Sequence, residues 1–339
     1  MTFLRQFCTL LQKSNGNIYK IESKDGIILN SFNKNFELIT SKKLLEGSFS
    51  FLSYWFDIAK DDNIYGVIND KNGTIINYNV INNYIIKSNL LKYDIEEIFI
   101  KFIYIKNIDN KTHIFYYSLN KQHPCNGHII HHYKNNGVWN TQIVDEITYN
   151  ILTNFVVTYT SENSPVIFYY NVINGFEELF ASVFDANSNS WCNPIQITNS
   201  RKNKIYLSVI MNSLNCYHIL FSENNNNKYF CTYIKGYINN NNKFDIASTS
   251  KLVNTVACTF PSIIESNGTL YANWIEYHNL FTVSSKDFGV TWNETSIFNN
   301  SYKIPFVCCN YHSNYDINKS FTYFTLFIKD NSLEILGTD

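Results

Sequence analysis

Arginine is all but missing from this chain: Arg5 and Arg201 are the two it has in 339 residues, so lysine carries almost all of its positive charge. A guanidinium is the side chain best shaped to fork onto a carboxylate or phosphate. Its scarcity argues against phosphoryl transfer and against any site built on an arginine cluster. Charge is also unconcentrated. With 27 Lys+Arg against 28 Asp+Glu the net charge is -1, and no basic field exists to recruit nucleic acid or an anionic membrane. Apolar runs are too short for a membrane span, and Met1 to Leu11 lacks the apolar centre of a secretory signal. The expectation is therefore a cytoplasmic monomer with no membrane insertion and no nucleic-acid partner. None of the eight cysteines has C-x-x-C spacing. Cys216, Cys231 and Cys258 sit in apolar, strand-like text and read as reduced core thiols. Cys308 and Cys309, as neighbours on a strand, would point to opposite faces and chelate poorly.

Helix formers are scarce as well. Alanine is rare, while isoleucine, tyrosine, phenylalanine and asparagine abound, a bias that disfavours helix and favours strand. The same bias is what an AT-rich genome encodes. Aromatic richness and the asparagine runs 224–227 and 239–242 therefore carry little weight as signs of sugar stacking or of aggregation.

Internal repetition is the strongest organising signal. Ile114-Phe115-Tyr116-Tyr117 recurs as Ile167-Phe168-Tyr169-Tyr170 after 53 residues, and Asn17-Ile18-Tyr19 as Asn63-Ile64-Tyr65 after 46. A polar turn followed by an aromatic residue recurs at Phe36, Tyr84, Trp139, Trp191, Phe244 and Trp292, at intervals of 48 to 55 residues. Within one period, residues 154–160, 166–172, 178–184 and 191–198 each read as a short strand bounded by Asn, Ser, Gly or Pro. Four strands per period of about 50 residues is the pattern of a propeller blade. The chain thus predicts an all-β, seven-bladed β-propeller of four-stranded antiparallel blades, in a single domain spanning residues 1–339. The blades are placed at 6–47, 48–95, 96–150, 151–201, 202–256, 257–302 and 303–339, the last closed by residues 2–5. Six blades is the alternative.

One motif is sharp. Ser285-Lys286-Asp287-Phe288-Gly289-Val290-Thr291-Trp292 follows a strand-like segment. Its spacing suits a tight hairpin. Asp287 is placed to accept backbone N–H bonds across the turn. Gly289 takes a backbone conformation that a Cβ forbids. Ser285 and Thr291 face each other, and Trp292 buries its ring while its N–H finds a partner. The motif resembles the Asp-box of sialidase-type propellers, at full strength over eight residues and as weaker echoes at 185–191 and 134–139. In that superfamily the box lies away from the catalytic face, so the resemblance implies fold rather than activity. The superfamily's sialidases clamp their substrate with three arginines; two cannot assemble that clamp, which excludes sialidase activity.

What remains is weighed between binding and catalysis. A glycosidase needs two carboxyls across a cleft. Asp57, Glu96, Glu97, Glu162 and Glu265 lie near inner strands, but no spacing singles out a pair. Five of the eight histidines fall between residues 113 and 132. His123, Cys125 and His128, or His128 with His132 on one strand face, could hold a divalent metal, although exposed hairpin histidines are the simpler reading. The expectation is a non-catalytic platform that needs no cofactor and binds a protein or carbohydrate partner. The alternative is a glycoside hydrolase-like enzyme with a carboxylate pair.

Overall fold

The computed structural model describes residues 4–81, 84–108, 111–135, 137–150, 153–252, 257–298, 306–315, 321–323, 325–329 and 334–338. Among these residues the chain is all-β, with one short 3-10 turn at Phe51–Ser53. No helix among them is long and apolar enough to cross a membrane.

The strands fall into two compact units: residues 6–148 with 309–317 (the N-terminal unit), and residues 1–5, 149–308 and 318–339 (the C-terminal unit). The N-terminal unit contains three runs of four consecutive antiparallel strands, the first of them part of a seven-stranded sheet. They are β1 (Leu4–Gln12), β2 (Ile18–Ser23), β3 (Gly26–Phe32) and β4 (Leu38–Glu46); β5 (Tyr54–Ile58), β6 (Ile64–Asn69), β7 (Thr74–Ile81) and β8 (Tyr84–Lys92); and β9 (Ile98–Ile108), β10 (Lys111–Asn120), β11 (Asn126–Asn135) and β12 (Val138–Thr148). The C-terminal unit repeats the plan. β13 (Val156–Tyr159), β14 (Pro165–Ile173) and β15 (Phe176–Asp185) are edged by β16 (Ser190–Trp191) and β17 (Ile195–Gln196). Then come β18 (Lys204–Met211), β19 (Tyr217–Asn225), β20 (Lys228–Ile238) and β21 (Phe244–Lys251), followed by β22 (Thr259–Ser266), β23 (Thr269–Glu276), β24 (Asn279–Ser285) and β25 (Ser296–Phe298). β26 (Phe306–Ser313) passes from one unit into the other and lies beside β1. β27 (Phe321–Tyr323) edges β22, and β28 (Thr325–Lys329) pairs with β29 (Ile335–Leu336). Successive four-stranded antiparallel sheets in chain order are the build of a multi-bladed β-propeller.

The repeat places blade starts near residues 7, 49, 97, 154, 204, 260 and 306, and strands open at 4, 54, 98, 156, 204, 259 and 306. Two details differ. The strand expected over 191–198 is split into β16 and β17, because Pro194 lies between them and has no N–H to give to β15. Of the expected closing strand, Thr2 and Phe3 lie outside the described residues, and Leu4 and Arg5 open β1 itself.

Burial explains the layering. Inner strands are apolar on both faces, whereas the outer strands β4, β8 and β21 are mostly exposed. In the N-terminal unit Leu11, Ile21 and Ile27 of the first sheet pack with Phe56, Ile68 and Tyr78 of the second. In the C-terminal unit Val156, Phe168 and Ala181 pack with Val209, Phe221 and Ile234. Each such side chain contributes about 1.5–3 kcal/mol when removed from water. Asparagine builds the turns. Asn212 Oδ1 accepts from the N–H groups of Leu214 and Cys216, both at 3.0 Å, and Asn239 Oδ1 does the same for Asn241 and Lys243 at 2.9 and 3.2 Å. In each turn the third residue on, Asn215 (φ 56°) or Asn242 (φ 54°), is left-handed, where asparagine is tolerated.

Three inner strands depart from this economy. β9, β18 and β22 each carry a bulge, and in each an aromatic residue sits at positive φ: Phe102 at 55°, Tyr206 at 55° and Phe260 at 48°. A bulky residue held there costs about 1–3 kcal/mol.

The Ser285–Trp292 hairpin forms as its spacing suggests, with two adjustments. Asp287 Oδ1 accepts from Ser285 Oγ at 2.7 Å and from the N–H groups of Val290 and Thr291 at 3.1 and 2.8 Å, and Oδ2 accepts from Thr291 Oγ1 at 2.5 Å. Ser285 Oγ also accepts from Gly289 N–H at 2.8 Å. Ser285 and Thr291 thus both bond Asp287 rather than each other. Gly289 has φ 80°, and a Cβ there would lie 2.0 Å from Tyr233 Oη. Trp292 meets Tyr233 edge-on at 5.0 Å, but its Nε1 has no hydrogen-bond partner among the described residues. The hydrogen bonds from Thr291 and Ser285 hold the Asp287 carboxyl well below the usual range. Asp287→Ala removes all four of its acceptor contacts and is expected to lower Tm by several degrees at neutral pH. The deficit should shrink as the wild-type carboxyl protonates in strong acid. Equal melting curves for the two proteins at neutral pH would refute this account of the hairpin.

Candidate functional site

Much of the histidine cluster lies in the core. His113, His131 and His132 are buried on β10 and β11, against the expectation of exposed hairpin histidines. His113 Nδ1 lies 3.0 Å from His131 Nε2. The His131 ring stacks on Phe115 at 4.4 Å and on Tyr133 at 4.8 Å, and His132 stacks on Trp139 at 4.7 Å. These strands are long enough to carry the histidines into the sheet, where aromatic faces receive the flat rings. Burial, aided by nearby Lys111, pushes His113 down to about 4; burial and the neighbouring histidines push His131 well down. His123 and Cys125 are exposed at the β10–β11 turn, and His128 sits 3.8 Å from Glu146. No group of three potential ligands is gathered among the described residues, so His123, Cys125 and His128 do not form a metal cluster there. His128 and His132 likewise turn to different partners, Glu146 and Thr141.

The carboxylates named from the sequence separate. Glu96, Glu97 and Glu162 are exposed. Glu265, on β22, is partly buried, and burial raises its carboxyl. No hydrogen bond or ion pair joins it to a second carboxyl among the described residues. Asp57 is enclosed, with 0% of its side chain exposed, and is the centre of a small network in the N-terminal unit. Its Oδ1 accepts from Lys106 Nζ at 2.9 Å and lies 3.3 Å from His312 Nδ1, while Oδ2 accepts from Asn107 N–H at 3.3 Å.

Three elements supply this network. Asp57 is near the end of β5, Lys106 near the end of β9, and His312 on β26. Lys106 is 24% exposed and His312 16%, so the charge faces inward while cation and imidazole reach the surface. Burial pulls His312 down to about 4; the Asp57 carboxylate opposes the shift and Lys106 adds to it. The ring is therefore neutral at pH 7. With Nδ1 beside the carboxylate, the proton sits there, and Nε2 keeps its lone pair. That Nε2 is enclosed and has no hydrogen-bond partner among the described residues. Trp55 meets the ring edge-on at 6.2 Å and itself packs against Tyr104 at 5.0 Å. A neutral imidazole oriented by a buried carboxylate, with an ammonium on the same carboxylate, has the parts of a general base beside an anion-accepting cation. Sequence reading placed Asp57 among the acids but missed Lys106 and His312, because no local spacing connects residues 57, 106 and 312.

A second ionic network, in the C-terminal unit, is structural. Lys204 is 0% exposed; its ammonium donates to Glu178 Oε2 at 2.8 Å and to the carbonyls of Glu177 and Lys202 at 3.0 and 2.8 Å, which uses all three donors. Burial pushes Glu178 up, but bonds from Lys204, Thr198 and the Arg201 N–H outweigh it and hold the carboxyl low. Burial likewise pulls Lys204 down against the attraction of its carboxylates.

No family model and no curated protein matches this sequence. Solved structures do match its fold. An ulvan lyase of polysaccharide lyase family PL25, bound to GlcA(1-4)Rha3S units, aligns with a TM-score of 0.61 at 10% identity, over 98% of this chain and 93% of that one. The polysaccharide lyase Uly1 aligns at 0.58 and 9% identity, over 100% and 91%. The α-L-arabinofuranosidase arb93a from Fusarium graminearum, with an iminosugar inhibitor, aligns at 0.51 and 10%, over 83% and 94%. These likenesses establish shared fold, and they correct the expectation of a non-catalytic platform. The neighbours are carbohydrate-active enzymes, so the enzymatic alternative is the better supported one.

Two outcomes test this account of the buried groups. Lys204→Met leaves the Glu178 charge enclosed without its cation and is expected to cost about 3–5 kcal/mol of stability in denaturant unfolding. A loss below about 1 kcal/mol would show the pair to be dispensable. The second test is pH. His113, His218 and His312 are each held down at about 4, and His131 and His132 are also lowered, by burial first in every case. Unfolded histidines titrate near 6.5, so between about pH 6.5 and 4 the unfolded chain binds protons the fold refuses. Tm is expected to fall steadily on acidification through that window, and a flat profile would contradict it.

Proposed function

We propose that this chain is a carbohydrate-active enzyme that cuts an anionic polysaccharide by β-elimination, with His312 as the proton acceptor. The observation that carries the reading is the Asp57–His312–Lys106 arrangement: a neutral imidazole, its Nδ1–H beside a buried carboxylate, next to a partly exposed ammonium. Hydrolysis needs two carboxyls across a cleft. Elimination needs instead one base and one cation. Nε2 takes the proton on the carbon next to the uronate carboxylate. The released electron pair forms a carbon–carbon double bond, the bond to the glycosidic oxygen breaks, and the leaving oxygen takes a proton from water. Lys106 offsets the charge that builds on the carboxylate as the proton departs. Because Nε2 is enclosed, substrate reaches it only when neighbouring side chains move aside. The fold, shared with ulvan lyase over 98% of the chain, supports a carbohydrate-active enzyme.

The test is turnover of ulvan, polygalacturonate and alginate, followed by the ultraviolet absorbance of the conjugated uronate that only elimination produces. His312→Gln is expected to lower kcat about 100-fold or more, with the melting curve retained. Cleavage that yields reducing ends without this absorbance would replace elimination by hydrolysis, and no cleavage of any of the three polymers would overturn the reading.

A further inference from the structure

Asparagine, aspartate or glycine takes most left-handed backbone positions of the described residues, as at Asn163, Asn174, Asn215, Asn242 and Asn267; nine go to other residues, six of them aromatic (Phe36, Phe102, Tyr206, Phe260, Tyr277 and Phe288). Tyr206 on β18 and Phe260 on β22 are exceptions. Each is the extra residue of a bulge in the first strand of its sheet, near that strand's start. Asparagine would hold that backbone at less strain, so what the aromatic residues add is their side chains. The two rings stack on one another with centroids 4.8 Å apart and a tilt of 38°, and both remain partly exposed. The bulge on β18 is pinned from behind: Tyr170 Oη donates to the Tyr206 carbonyl at 2.9 Å, and Asn154 Nδ2 donates to the Leu207 carbonyl at 3.0 Å. The Tyr206 hydroxyl makes no hydrogen bond to the described residues. A bulge of this kind re-aims a side chain, and a pinned one holds it there.

The loop leading into β18 adds charge. It carries Arg201, which is exposed and is one of the chain's two arginines, and Lys202, which is half-buried with its Nζ 3.5 Å from Glu223 Oε2. The Arg201 backbone N–H donates to Glu178 Oε1 at 2.8 Å, which ties the loop to the buried Lys204 network. Aromatic faces followed by an anchored cationic loop match one ligand chemistry: a pyranose whose C–H face lies on a ring and whose carboxylate or sulfate meets a guanidinium.

The geometry points to Tyr206 and Phe260 as a stacking platform for an anionic sugar residue, with Arg201 and Lys202 receiving its charge. This rests on the polysaccharide reading above, but not on its chemistry. The test is affinity electrophoresis of the purified chain through gels containing polygalacturonate (carboxylate only), a carrageenan (sulfate only) or neutral laminarin. The wild-type protein is expected to be retarded by at least one of the anionic polymers and little by laminarin, and which polymer acts tells carboxylate from sulfate. Tyr206→Asn and Phe260→Asn are each expected to weaken that retardation about tenfold while leaving Tm unchanged or raised; Tyr206→Phe keeps it. Arg201→Ala with Lys202→Ala, on the surface loop, is expected to abolish the preference for the anionic polymer and keeps the test open if an asparagine variant folds poorly. No retardation by either anionic polymer, or retardation unaltered in the asparagine and alanine variants, overturns the platform. Retardation without cleavage removes the elimination chemistry and leaves the platform; cleavage with KM unchanged in those variants does the reverse.

Discussion

Each sheet of this protein has two apolar faces, and burying them against a neighbouring sheet is the constraint on which the remaining structure depends. Phe56 illustrates the tightness of that packing. It is fully enclosed, and its ring lies so close to Gly66 that a Cβ there would stand 2.1 Å away. Packing of this density leaves the outermost strand of a sheet to meet water. That is why β4, β8 and β21 are mostly exposed while the strands inside them are not. It also fixes register, because a slip of one residue would turn an apolar face outward.

Polar groups enclosed by such packing must find partners or give up their charge. The histidines of β10 and β11 become neutral and stack as flat rings. Lys204 stays within reach of carboxylate and carbonyl oxygens on all its donors. The Asp57 network is a mixed case: the carboxylate is hidden, while the cation and the imidazole lie at the edge. That half-open state separates groups able to do chemistry from groups that only hold the fold. The scarcity of arginine bears on this as well. It removes the clamp of a sialidase, but the proposed elimination needs only one cation near the carboxylate, the part proposed for Lys106. Excluding one activity of a fold therefore did not exclude catalysis on it.

The bulges show the opposite bargain. Asparagine, aspartate and glycine take the left-handed backbone of most hairpins at small cost, as Gly289 does against Tyr233 in the 285–292 turn. On β18 and β22 the same backbone region is occupied by aromatic residues whose rings remain partly exposed. Strain kept where a cheaper residue exists is ordinarily tied to a side chain's task.

Much of the fold was legible beforehand because its causes are local. A period near 50 residues, alternating apolar text and asparagine turns located the first strand of each sheet within about five residues, and the aspartate-centred hairpin was readable from eight residues, since every partner of Asp287 is within four positions of it. Pro194 broke a strand for an equally local reason. The histidines were misread because exposure depends on how far a strand runs into its sheet. By itself, then, the sequence determined an all-β chain of repeated four-stranded sheets, the turn chemistry between them and the absence of an arginine clamp. Only the tertiary structure decided which charges are enclosed, and that Asp57, Lys106 and His312 share one site. Those residues come from three strands far apart in the chain, and strand pairing and sheet packing, rather than any spacing along the chain, bring Lys106 Nζ and His312 Nδ1 to 2.9 and 3.3 Å from the Asp57 carboxylate.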